Sequence, residues 1–231
     1  MAGGRHKIRG LFSAGALFVL LAGVYTASSA ENKWEPAIRE FEAQDAQKPP
    51  PRNAVLFVGS SSIRWWRTSE LFPEFSTINR GFGGAFISDI NYYLKRIVIP
   101  YKPKVIVFYC GYNDFFVAKK SPEQVFNDFN SFSETVHSSL PKTRIIFMSL
   151  MPGPAAWDSR QLLYEVNSRV KALSEKQEYL FYADVAAGML NSKGVPDPND
   201  YQDDGVHLTY KADRKWANLL RPTLRRIYNL K

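Results

Sequence analysis

The chain predicts an α/β domain built on a parallel sheet with helices on both faces. Three observations carry this. Short, continuous apolar runs recur along the 231 residues. Amphipathic stretches of helical period separate them. The two patterns alternate about five times, as strand–helix units feeding a parallel sheet do. With 45% hydrophobic residues, the chain is long enough for one domain with a sizeable core.

The elements follow in order. Residues 34–46 (WEPAIREFEAQDA) predict a helix, with Trp34, Ile38 and Phe41 at helical spacing. Pro49, Pro50 and Pro51 stop it. Apolar runs at 54–58, 105–110, 145–150 and 179–182, and a weaker one at 76–79, predict five strands. Ile87, Ile90, Leu94 and Ile97 form one helical stripe, and Val125, Phe129, Phe132 and Val136 another. Ser121-Pro122-Glu123-Gln124 has the cap, first-turn proline and third-position Gln that open the second helix. Leu162, Leu163, Val166, Val170 and Leu173 make a third stripe. Ala212, Trp216, Leu219 and Leu220 make a fourth, ended or kinked by Pro222.

The N-terminus predicts a secretory leader over residues 1–30. A basic stretch, MAGGRHKIR, precedes an apolar run from Leu11 to about Tyr25, and Ala27-Ser28-Ser29-Ala30 offer a cleavage site. The expectation is an exported protein, periplasmic or secreted, with an uncleaved membrane anchor as the alternative. The domain organisation is then a leader (1–30), a helix with a Pro-rich linker (31–52) and the main domain (53–231). Without the leader, the formal charge of +8 falls to +5. The remaining cations show no dense run, so a nucleic-acid partner is not expected.

Cys110 is the only cysteine and lies in an apolar run, as a buried, inert thiol would. Of three histidines, His6 falls in the leader, leaving His137 and His207. A His-based metal site is not expected, nor is a cofactor.

Four segments bear chemistry. Gly59-Ser60-Ser61-Ser62 follows the first strand and opens a helix; alone it is also a turn and cap. A serine there becomes a nucleophile only beside a base. Asp204-Gly205-Val206-His207 precedes the last helix, and its carboxylate can orient the imidazole. The glycines of Asn79-Arg80-Gly81-Phe82-Gly83-Gly84 allow close backbone approach. Asn113, in Gly111-Tyr112-Asn113-Asp114, can donate to a developing oxyanion. Together they supply nucleophile, base, orienter and oxyanion donors for acyl transfer.

The blocks FVGSSSI, NRGFGGA, GYND and DGVH resemble the motifs of the SGNH or GDSL hydrolases, from about Asn53 onward. The resemblance implies a flavodoxin-like three-layer α/β/α sandwich with a five-stranded parallel sheet. It also implies a triad of Ser61, His207 and Asp204. Ser61, Gly84 and Asn113 would form the oxyanion hole. Ser60 and Ser62 replace the Asp and Leu of the family's name motif, a pattern similar to a bacterial exported subgroup. The implied activity is hydrolysis of acyl or acetyl esters of small molecules, lipids or glycans. Lysophospholipase, glycan O-acyltransferase or deacetylase, and a non-catalytic glycan-binding module are the alternatives. Trp65, Trp66, Phe82, Phe86, Phe115 and Phe116 flank the motifs; some could line an acyl pocket or stack on sugar, but core packing is the expectation for any one of them. Arg64 and Arg80 could meet an anionic substrate, but surface charge is the default expectation.

Overall fold

The computed structural model describes residues 1, 3 and 33–230. The predicted leader, positions 1 and 3 aside, lies outside the described residues. Among the described residues no helix is long and apolar enough to cross a membrane.

Five strands form one parallel sheet: β1 (Val55–Gly59), β2 (Thr77–Gly81), β3 (Val105–Tyr109), β4 (Arg144–Met148) and β5 (Leu180–Ala183). Their order is β2-β1-β3-β4-β5, the flavodoxin-like arrangement, whose switch point lies between β1 and β3. Each strand falls within one or two residues of its predicted apolar run. β1 and β3 are buried along their whole length, which is why they read as continuous apolar runs rather than alternating ones.

The longer helices are α1 (Glu35–Gln47), α4 (Ile87–Ile97), α6 (Pro122–Ser139), α7 (Arg160–Ser174) and α8 (Tyr210–Tyr228). Three short ones, α2 (Ser61–Trp65), α3 (Thr68–Leu71) and α5 (Tyr112–Phe116), follow strands β1 and β3; none spans enough turns to show a period in sequence. On one face of the sheet Phe57 meets Trp66 and Phe72, and Tyr109 meets Trp216 of α8. On the other, Phe108 packs on Phe129 and Phe132 of α6.

The predicted cap forms: Gln124 N–H donates to Ser121 Oγ (3.2 Å), and Ser121 N–H donates to Gln124 Oε1 (2.9 Å). Pro222 does not end α8. The carbonyl it leaves without an amide donor belongs to Asn218, on the exposed side, where water can satisfy it. Leu162, counted in the apolar stripe of α7, is 37% exposed, whereas Leu163, Val166 and Val170 are buried.

α1 packs against α4 and is tied along its length. Ile38 is buried. Arg96 binds Glu42 through two 2.7 Å hydrogen bonds and Glu35 through one of 2.8 Å. Asp45 accepts from Arg80 and from the Tyr101 hydroxyl. Arg80 therefore departs from its expected place at the surface: it is buried on β2, paired with Asp45, and its guanidinium lies near the Phe41 and Tyr101 rings. Burial of a guanidinium is tolerated only with such partners.

Candidate active site

β2, β1 and β3 are adjacent, and three candidate residues follow their carboxyl ends: Gly84 after β2, Ser61 after β1 and Asn113 after β3. Ser61 is the first residue of α2. The preceding Ser60 occupies the cap position, but its side chain makes no capping bond. α2 is held tightly to β2. The Asn79 side-chain amide donates to the carbonyls of Ile63 (2.7 Å) and Trp66 (3.1 Å), and its oxygen accepts from Gly81 N–H (2.9 Å). Gly81 is required there, because a Cβ would lie 2.2 Å from the Arg64 nitrogen.

The Ser61 hydroxyl meets His207 Nε2 at 2.7 Å. His207 Nδ1 meets Asp204 Oδ2 at 2.5 Å. The other carboxylate oxygen of Asp204 accepts from the backbone N–H of Val206 (2.8 Å) and His207 (2.9 Å), which fixes the carboxylate toward the ring. Partial burial pushes the Asp204 carboxyl up. Its hydrogen bonds from the His207 ring and the two amides outweigh this and hold it below the usual carboxylate range. The structure thus joins Ser61, His207 and Asp204 in one hydrogen-bonded chain, although 146 positions separate the first two in sequence.

The turn carrying Gly84 is fixed from several sides. Gly84 has φ +73°, a left-handed conformation. The next carbonyl, Ala85, accepts from the Asn113 side-chain amide (3.1 Å) and from Cys110 Sγ (3.5 Å). Asn113 and the Gly84 turn are thereby joined, with the second amide hydrogen of Asn113 not needed for that bond. The backbone N–H of Ile87 donates to buried Asp114, whose charge is met by Lys120 at 2.7 Å; Lys120 also pairs with Asp128 at 2.8 Å. Burial raises the Asp114 carboxyl above its ordinary range despite Lys120. Trp34, at the start of α1, closes the remaining side: a Cβ at Gly84 would lie 3.0 Å from its ring. Motif spacing alone did not reveal Trp34, Asn79 or Asp114 as supports. Asn79 and Asp114 do lie inside the motif blocks NRGFGGA and GYND, which was the only local sign; Trp34 had none.

The flanking aromatics divide. Trp66, Phe82 and Phe115 are buried, as expected for core residues. Trp65 is 52% exposed, and its ring lies 4.2 Å from that of His207. Cys110 is buried, and burial raises its thiol well above the ordinary range. His137 stacks on Tyr179 beside a cavity of about 1360 Å³. Lys104, Arg144 and Tyr179, which precede β3, begin β4 and precede β5, line that cavity; it is at the opposite end of the sheet from Ser61.

This topology defines the class of three-layer α/β/α sandwiches with a flavodoxin-like sheet, and the Ser61, Gly84 and Asn113 cluster lies beyond its strand ends. The GDSL-like Lipase/Acylhydrolase family matches residues 64–215. The chain belongs to that family and is a carboxylic ester hydrolase. The match begins three residues after Ser61 and includes Gly84, Asn113, Asp204 and His207. No curated protein matches the chain in sequence. Solved structures share its fold. A GDSL-like lipase from Bacteroides thetaiotaomicron has a TM-score of 0.71 and 21% identity, covering 82% of this chain and 97% of its own. A carbohydrate esterase of family 3 from Talaromyces cellulolyticus gives 0.64 and 19%, covering 77% and 99%. An acetyl-xylooligosaccharide esterase from Geobacillus stearmophilus gives 0.61 and 18%, covering 79% and 97%.

Proposed function

We propose that the protein cleaves short acyl esters, acetyl esters of carbohydrate foremost, through a Ser61–His207–Asp204 triad. The observation that carries this reading is the continuous hydrogen-bonded chain, 2.7 Å from Ser61 to His207 and 2.5 Å from His207 to Asp204.

In this mechanism Ser61 Oγ attacks the ester carbonyl while His207 Nε2 takes its proton. Asp204 holds the ring and stabilises the imidazolium. The backbone N–H groups of Ser61 and Gly84 and the Asn113 side-chain amide receive the oxyanion. The bond from the carbonyl carbon to the alcohol oxygen then breaks, and His207 returns its proton to the departing alcohol. Water, deprotonated by His207, attacks the acyl-enzyme; the acid leaves and Ser61 recovers its proton.

Two structural neighbours, the family 3 carbohydrate esterase and the acetyl-xylooligosaccharide esterase, support a carbohydrate ester, the second of them an acetyl ester; the GDSL-like lipase supports a lipid ester as the second reading. Incubation with aryl esters of two to twelve carbons tests this. Turnover should be fastest for the shortest acyl groups and absent from Ser61→Ala. A preference for ten or twelve carbons would contradict the substrate class, and equal turnover by Ser61→Ala would contradict the site.

We also propose export, on the charge and apolar pattern of residues 1–30. N-terminal sequencing of the extracytoplasmic protein should begin near Glu31. An intact Met1 in the membrane fraction would contradict cleavage.

A further inference from the structure

We propose that the mouth of the Ser61 site is a subsite for an acidic sugar: the ester it prefers joins the acyl group to a pyranose that also carries a carboxylate. This inference rests on the catalytic reading of Ser61 given above.

Ser61, Arg64 and Trp65 stand at positions i, i+3 and i+4 of α2, so they share one face of that helix. Both neighbours of the nucleophile are exposed. Trp65 is a large aromatic left half in solvent, with its ring against His207. His207 must protonate the leaving alcohol, so the alcohol portion departs on the Trp65 side. A flat, amphipathic indole there suits the apolar face of a sugar ring.

Arg64 supplies the charge. Its side chain runs along the Gly84 turn, with Nη1 3.3 Å from where a Cβ of Gly83 would be. Arg64 makes no ion pair among the described residues. Three acidic groups of the flanking segments are engaged elsewhere: Asp204 holds His207, Asp89 accepts from Phe86 N–H, and Glu70 pairs with Arg67 and Tyr210. A second cation, Lys33, lies 4.4 Å from the Trp34 ring and 5.5 Å from that of Phe86, beyond Gly84. An unneutralised guanidinium with a planar, forked donor set fits a carboxylate. Aromatic plate and cation flank the same nucleophile, so one ligand carrying both a ring face and an anion satisfies both.

The test compares mono-O-acetylated methyl glucuronoside with methyl glucoside, the same hydroxyl esterified in each, alongside phenyl acetate. The wild-type enzyme should favour the glucuronoside by about fivefold in kcat/KM, the scale of one solvent-exposed ion pair. The ratio should shrink as salt is added. It should approach one in Arg64→Gln through a higher KM for the acid, and recover partly in Arg64→Lys. Trp65→Ala should raise KM for both sugars relative to phenyl acetate. A wild-type ratio of one, or a ratio kept in Arg64→Gln, overturns the acidic subsite. If phenyl acetate turnover still depends on Ser61, that failure leaves the catalytic reading standing. Phenyl acetate turnover equal in wild type and Ser61→Ala overturns the catalytic reading itself.

Discussion

Trp34 lies edge-on against Gly84. The position a Cβ would take at Gly84 is 3.0 Å from Trp34 Cη2 and 3.8 Å from Cζ2. The indole also packs against Phe82 at 5.7 Å between ring centroids. The first turn of α1 therefore backs the glycine whose N–H would receive the oxyanion. Trp34 is a positioning residue in this account. Trp34→Ala should lower kcat by about tenfold to a hundredfold with little change in KM, since small misplacement of reacting groups has that effect. Affinity for a trifluoromethyl ketone, which forms an oxyanion when Ser61 adds to it, should fall in parallel, and Trp34→Phe should recover part of both. A rise in KM alone would contradict the role.

Asn113 is asked to do two things. One amide hydrogen holds the Ala85 carbonyl; the other is free to meet the oxyanion. Asn113→Ala should cost about 2.7 to 4 kcal/mol of transition-state stabilisation, seen as a fall in kcat of about 10² to 10³. Pre-steady-state acylation kinetics check this, and an unchanged acylation rate would remove Asn113 from the oxyanion hole.

Asp204 is charged in the resting site, since its hydrogen bonds hold the carboxyl below the ordinary range. Asp204→Asn keeps the shape but presents the wrong partner to His207 Nδ1. By analogy with serine triads, kcat should fall by about 10⁴. Because the shift is downward, protonation of Asp204 should begin only below the usual carboxylate range, so a loss of kcat in Asp204→Asn should persist across the mildly acidic to neutral range where wild-type Asp204 stays charged.

Asp213, on α8, has its carboxyl pushed up to about 7 by burial, with Arg67 opposing only in part. Between the ordinary carboxylate range and pH 7 the folded state holds a proton that the unfolded state has released. Folding stability should therefore decline as pH rises through that window and level off above it. Asp213→Asn removes this penalty. Discounted for the solvent that still reaches the group, it should stabilise the protein by about 1 kcal/mol at pH 8 and not at all at pH 3.5. Thermal unfolding across pH reads this directly. An equal gain at both pH values would contradict the assignment.

Much of the fold was legible because the strands are buried on both faces and the helices on one. β1 and β3 read as unbroken apolar runs, and α4 and α6 as stripes. The motif residues were legible because each follows a strand or leads a helix. Tertiary supports were not. Trp34 and Arg80 carry no local mark of their partners, since Gly84 and Asp45 are brought to them only by the packing of α1. Trp65 and Trp66 are adjacent and chemically alike, yet one faces His207 and the other the core. The direction of one turn of α2 decides between them, and that helix is too short for a hydrophobic period to reveal it.

Ser61 is the proposed nucleophile, rather than Ser60 or Ser62 beside it. A fluorophosphonate phosphonylates an activated serine, and peptide mass spectrometry locates the adduct. The prediction is a single adduct on Ser61, lost in Ser61→Ala and slowed strongly in His207→Ala. An adduct on Ser60 or Ser62, or labelling that persists in Ser61→Ala, would contradict it.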